Sequence, residues 1–224
     1  METIVLAIGG SVIISEDADV SFFKKLVNLL NKLSSRYKIF IVVGGGKTAR
    51  KYIELGRELG LSEEALDDLG IKITRINAKL LASIVETSNK KIPSTTGEAS
   101  KINKTIVVMG GTIPGHSTDL VGAELAEKSG ADRFIIATNV DGIYDKDPNK
   151  YGDAKQLREI SIEKLIEKYG TGWNAAGSNV VIDGPALDVI DKIKIPTFVV
   201  NGKQLGQLEK AMTNQKFNGT RIRI

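Results

Sequence analysis

The stretch Lys38-Ile39-Phe40-Ile41-Val42-Val43-Gly44-Gly45-Gly46-Lys47-Thr48-Ala49-Arg50 decides the fold. Its first six residues are nearly all apolar and mostly β-branched. A strand with one wet face would alternate, so this run reads as a strand covered on both faces in a parallel sheet. Three glycines close it, and Lys47 to Leu59 carries helix-forming residues. Upstream, Thr3 to Ile8 (TIVLAI) is a second strand of the same kind, ended by Gly9-Gly10. Between the two strands Phe22, Phe23, Leu26, Val27, Leu29, Leu30 and Leu33 recur at three- and four-residue spacing, which is one apolar helix face, with Asp19 or Ser21 as N-cap. The unit is strand, helix, strand, glycine turn, helix.

Downstream the alternation continues. Asp67 to Glu86 is helical in composition, Thr105 to Met109 is a strand ending at Gly110-Gly111, Asp119 to Lys128 is a helix and Arg133 to Ala137 a strand. Asp141-Gly142 and Asp145 to Pro148 are turns around a short extended piece, Ile143-Tyr144. Helices are expected at Ser161 to Tyr169 and Asp183 to Lys194, a strand at Pro196 to Val200, and an edge strand at Thr220 to Ile224. No linker or repeat interrupts this order, so residues 1–224 read as one α/β domain with helices on both faces of a doubly wound sheet. Ligands of such sheets sit at the carboxyl ends of the strands, where every glycine cluster lies.

A net charge of +4 with basic and acidic residues interleaved favours small anions over nucleic acid. The absence of cysteine removes disulfides, thiolate metal sites and cysteine nucleophiles. No apolar run reaches the eighteen or so residues of a membrane span, and a cytoplasmic location is expected.

Glycine lets backbone N–H groups turn toward an anion, and a following helix adds its positive end. Gly9-Gly10-Ser11, Gly44-Gly45-Gly46 and Gly110-Gly111 each provide this after a buried strand, so phosphate is the expected guest. Gly46-Lys47-Thr48 is not the end of a P-loop, because the position five before Gly46 is Ile41 inside the strand, and no window reads G-x-G-x-x-G. Lys47 and Arg50 lie one turn apart at the start of the next helix, where both face one anion or simply solvent. The loop Gly110 to Asp119 (GGTIPGHSTD) collects hydroxyls, the only histidine and three glycines, the composition of a loop that grips a ligand. Asp119 is also suited to cap the following helix, and nothing pairs His116 with a serine or carboxylate as a triad requires.

The blocks IGGSV at 8–12, VVGGGKTARKY at 42–52, ITRINA at 73–78, GGTIPGHSTD at 110–119, ATNVDGIYDKDP at 137–148 and SNVVID at 178–183 occur in the order, and with the residues, of a known family. The chain resembles the archaeal-type uridylate kinases of the amino acid kinase family. The resemblance implies a three-layer α/β/α sandwich with a mainly parallel central sheet, a homohexamer, and transfer of the γ-phosphoryl group of ATP, with Mg2+, to UMP. Carried over by motif, it implies that Gly9, Gly10, Ser11, Gly46 and Arg50 hold the ATP phosphates. Thr138, Asn139, Tyr144 and Asp147 would line the ATP nucleoside pocket. Gly45, Asp67 and the loop Thr112, Ile113, Pro114, Gly115, His116, Ser117 and Thr118 would receive UMP. Many family members carry a lysine just before the first glycines, where this chain has Ala7-Ile8; Lys47 is the candidate replacement.

A nucleoside monophosphate is already ionised at its attacking oxygen near neutral pH, which accounts for the lack of an evident general base. Positioning and charge stabilisation then carry catalysis, with Lys47 and Arg50 as cations, Asp119 organising the loop and lysine, and magnesium held by nucleotide phosphates and water rather than by protein ligands. Two alternatives stand beside this reading. One is another phosphotransferase of the same family, and the other a non-catalytic relative that binds nucleotide or stores oxoanions.

Overall fold

The computed structural model describes residues 1–14, 19–172 and 181–224. Among these the strands are β1 (Glu2–Ile8), β2 (Tyr37–Val43), β3 (Ile106–Met109), β4 (Arg133–Thr138), β5 (Glu159–Ser161), β6 (Thr197–Asn201) and β7 (Gly219–Arg223). The helices are α1 (Gly10–Ile13), α2 (Val20–Ser34), α3 (Gly46–Glu58), α4 (Glu63–Ile84), α5 (Thr96–Ser100), α6 (Thr118–Ser129), α7 (Ile162–Tyr169), α8 (Gly184–Ile193) and α9 (Leu205–Met212).

The strands form one sheet in the order β3-β2-β1-β4-β6-β7-β5. β1, β2, β3, β4 and β6 are mutually parallel, whereas β7 runs antiparallel to β6 and carries β5 parallel to itself. The C-terminal strand is therefore interior, not the edge that its alternating sequence suggests. The three-residue β5, hidden in a segment that reads as turn and helix, occupies the edge.

Side chains of β1 divide between two cores, as the two-residue period of a strand requires. Ile4, Leu6 and Ile8 join Leu26 and Leu30 of α2, Leu81 of α4 and Leu208 of α9 on one face. Val5 and Ala7 join Val121 of α6, Leu165 of α7 and Leu187 of α8 on the other. Burial on both faces is what the unbroken apolar runs at 3–8 and 38–43 require, and it produces the α/β/α sandwich.

Local signals set the helix starts. Asp19 accepts a hydrogen bond from the Ser21 amide at 2.7 Å and caps α2. Ser62 caps α4 through the Ala65 amide, so the helix begins at Glu63, four residues ahead of the expected start. Ser117, not Asp119, caps α6, accepting from the Leu120 amide at 3.0 Å, and Asp183 caps α8 through the Ala186 amide at 2.9 Å. The expectation for Asp119 as a cap fails because it already lies inside the first turn.

After β3 the chain crosses to the opposite side of β1 to lay down β4. That change of direction opens a crevice at the carboxyl ends of β1, β2 and β4, where ligands of open α/β sheets bind.

Candidate active site

A cleft of about 1040 Å³ fills this crevice. Its floor is two glycine turns in contact. Gly9 N–H donates to Ala137 O at 2.9 Å, and Gly44 N–H donates to Ile8 O at 2.9 Å, so the exits of β1, β2 and β4 are tied together. A Cβ on Gly10 would meet Gly44 O at 2.6 Å and the backbone of Gly45 and Gly46 closer still. Gly46 has φ +65°, a left-handed conformation open to glycine, and is equally hard against Gly10. α3 starts there with no side chain capping it, which leaves the amide groups of its first turn for an anion.

The cleft wall includes Gly9, Gly10, Ser11, Gly45, Gly46 and Arg50 on the floor and the α3 side. Asp67, Ile113, Pro114, Gly115, His116, Ser117, Thr118 and Asp119 line the side of α4 and the loop after β3, and Thr138, Asn139, Tyr144 and Asp147 the side of β4. Two expected residues are elsewhere. Lys47 is exposed and outside the lining, so the cation pair expected from a one-turn spacing leaves Arg50 alone on the wall. Thr112 also lies outside it, with its hydroxyl buried and its carbonyl turned to Arg75.

The loop after β3 is held by α4. Thr74 Oγ1 accepts from the Gly111 amide at 2.7 Å and donates to Ile71 O at 2.6 Å, and Asp67 Oδ2 accepts from the Gly115 amide at 2.8 Å. Asn77, buried in α4, donates to Gly44 O at 2.9 Å and so fixes the triple-glycine turn to the same helix. His116 Nδ1 stands 3.4 Å from Glu124 Oε1 without hydrogen-bond geometry.

The electrostatics concentrate at Asp119. It keeps part of its surface at the cleft wall, yet enough protein surrounds it that burial, and secondly the charge of Asp183, push its carboxyl up to about 8. Asp183 is engaged by the Ser117 hydroxyl as well as by its helix-capping bond. The charged neighbour that raises the Asp119 carboxyl is the carboxylate of Asp183. On the β4 side, burial and then the charge of Asp141 raise the Tyr144 phenol.

Sequence reasoning missed several wall residues. Asp183 was visible within SNVVID but without a role, and Ser178 to Val180 of that block lie outside the described residues. Lys146 and Lys168 sit on the wall beside Tyr144, tied to Asp153 at 2.6 Å and to Asp145 O at 3.0 Å. Lys146 is in a turn motif and Lys168 in an amphipathic helix, so neither had a pattern to mark it.

This two-sided phosphate-type cleft has known counterparts. The amino acid kinase family model matches residues 2–201. The chain belongs to the amino acid kinase family. Among curated members, a protein of Methanobrevibacter smithii named uridylate kinase is 45% identical over 222 residues, covering 98% of each chain. One of Methanocaldococcus jannaschii with the same name is 44% identical over 218 residues, covering 94% of this chain and 96% of that one. Among solved structures of the family, the uridylate kinase of Archaeoglobus fulgidus superposes with a TM-score of 0.86 at 40% identity, covering 99% of this chain and all of that one. The family model thus spans β1 to β6, both glycine turns and the loop after β3.

Proposed function

We propose that the protein transfers the γ-phosphoryl group of ATP to UMP, giving ADP and UDP. The observation that carries this reading is the backbone contact between the two glycine turns. It places the Gly9-Gly10-Ser11 and Gly44-Gly45-Gly46 turns against each other on one cleft floor with nothing but main chain between them, which supports direct transfer between two phosphorylated substrates. The relatives named uridylate kinase, matched along nearly the whole chain, support UMP as acceptor.

On this reading Gly9, Gly10, Ser11, Gly46 and Arg50 hold the ATP phosphates, and Thr138, Asn139, Tyr144 and Asp147 its nucleoside. Gly45, Asp67 and the loop from Ile113 to Thr118 take UMP. The acceptor phosphate attacks as an anion, so the chain has no proton to remove; its task is to hold both phosphates in line and balance the charge that spreads over the transferred group. Arg50 and the amide groups at the start of α3 do this from the floor.

Mg2+ carried on ATP supplies further charge neutralisation when bound. Among the described residues no cluster of three or more carboxylate or histidine side chains could cage a metal ion. Asp119 and Asp183 orient the junction between the two sides.

We read residues 1–224 as one domain, because strands from both ends of the sequence share the sheet. We also read the protein as a cytoplasmic homo-oligomer, a hexamer by family resemblance. Ile76, Leu80 and Ile84 form an exposed stripe along α4, with Tyr52 and Leu55 exposed on the adjacent α3 and Leu59 exposed just after it, an apolar face suited to a second copy. Among the described residues no helix is long and apolar enough to cross a membrane.

The deciding experiment is an ADP-release assay with Mg·ATP and, in turn, UMP, CMP, carbamate and acetylglutamate. Turnover with UMP above the others is expected. Preference for carbamate or acetylglutamate would move the protein to another branch of the family, and no turnover with any would favour a binding role.

A further inference from the structure

We propose that Arg75 is a positioning residue of the acceptor side, a cationic clamp in α4 that sets the loop after β3 without touching substrate. The inference rests on the acceptor reading of that loop given above. Arg75 Nε donates to Gly111 O at 3.0 Å, and Nη2 donates to Thr112 O at 3.0 Å and to Ser94 O at 3.4 Å. One planar guanidinium thus spans two successive carbonyls of the loop and a third from the segment before α5, a fork that a lysine ammonium cannot reproduce. Among the described residues Arg75 has no carboxylate within ion-pair distance, so its charge is spent on backbone oxygens.

The neighbouring residue completes the grip. Thr74 holds the Gly111 amide while Arg75 holds the Gly111 carbonyl, so both main-chain polar groups of that residue are fixed by consecutive residues of one helix. A Cβ on Gly110 would lie 2.8 Å from the Arg75 amide, so the loop root is pressed directly on the helix backbone. Farther out, Asp67 in the second turn of α4 holds Gly115. The segment between, which includes Ile113 and Pro114 on the cleft wall, is suspended from α4 at both ends. Arg75 is itself not part of the wall, so whatever it contributes passes through the loop.

The test separates positioning from bulk stability. In Arg75→Ala, KM for UMP is expected to rise on the order of 10-fold, as for loss of charged hydrogen bonds, with KM for ATP within about twofold. Added ethylguanidinium restores part of the loss. In Arg75→Lys the acceptor KM stays raised, because a point charge cannot span two carbonyls. Amide exchange followed by mass spectrometry is expected to quicken in peptides spanning 111–116 and not in those spanning 9–13. If the alanine variant does not fold, the lysine variant is read by the same measures. An unchanged acceptor KM with unchanged loop exchange would overturn the proposal, as would equal rises in both KM values with protection lost along the whole of α4. If the wild-type protein turns over no nucleoside monophosphate, the functional reading fails and the clamp stands or falls on the exchange measurement alone.

Discussion

Asp119→Asn isolates the most perturbed group of the cleft. In the fold its carboxyl titrates near 8 against an ordinary 3.8, raised by burial and then by Asp183. Between these values the folded chain holds a proton that the unfolded chain has released, so stability falls as pH rises through the window and levels off above about 8. One proton of difference is about 1.4 kcal/mol per pH unit, or about 2.5 kcal/mol between pH 5 and pH 7. Water at the exposed edge of Asp119 makes this an upper figure. For a chain of this size it corresponds to about 5 to 10 °C in Tm. Asparagine matches the shape and does not titrate. The quantity to follow by calorimetry without nucleotide is therefore the Tm of the variant minus that of wild type, in which the other titrating groups cancel. It should grow toward the positive from pH 5 to pH 7 and flatten past pH 8. A difference constant to about 1 °C across that range, or one that shrinks, would refute the account of Asp119 as a carboxyl held neutral by its surroundings.

Arg50→Ala should lower kcat on the order of 100-fold, the scale for a preorganised electrostatic group, and Lys47→Ala much less; a larger loss for Lys47 in steady-state kinetics would reverse the assignment. Asp67→Ala should raise KM for UMP about 10-fold with little change for ATP, since it frees the Gly115 end of the loop; an effect confined to ATP would put Asp67 on the wrong side. Ile76→Glu with Leu80→Glu should lower the mass measured by light scattering if α4 carries the assembly, and an unchanged mass would move the interface elsewhere.

The parallel core was legible because burial on both faces leaves no alternation, as in TIVLAI and KIFIVV. The pairing of β7 was not, since an alternating pentapeptide reads alike at an edge or one strand in, and three-residue β5 is shorter than any periodicity. In the site, glycine turns were legible because few residues tolerate φ +65° or backbone contact. Side-chain direction was the harder part. Lys47 and Arg50 share a helix turn, but only Arg50 reaches the wall, which spacing alone does not decide. The partnership of Asp119 with Asp183 joins positions far apart in sequence, brought together because α6 and α8 pack on the same face.

The backbone contact between Gly10 and Gly44 to Gly46 has a mechanical consequence. With no side chain between them to act as a spacer, the two turns rest on each other through main chain, tied by the Gly9 and Gly44 amides to the ends of β4 and β1. Beyond the floor the rims are the loop suspended from α4 on one side and the turns around Tyr144 on the other. A side chain added to Gly10 or Gly46 would therefore force the two turns apart, so the spacing of the floor is set by main-chain contact alone.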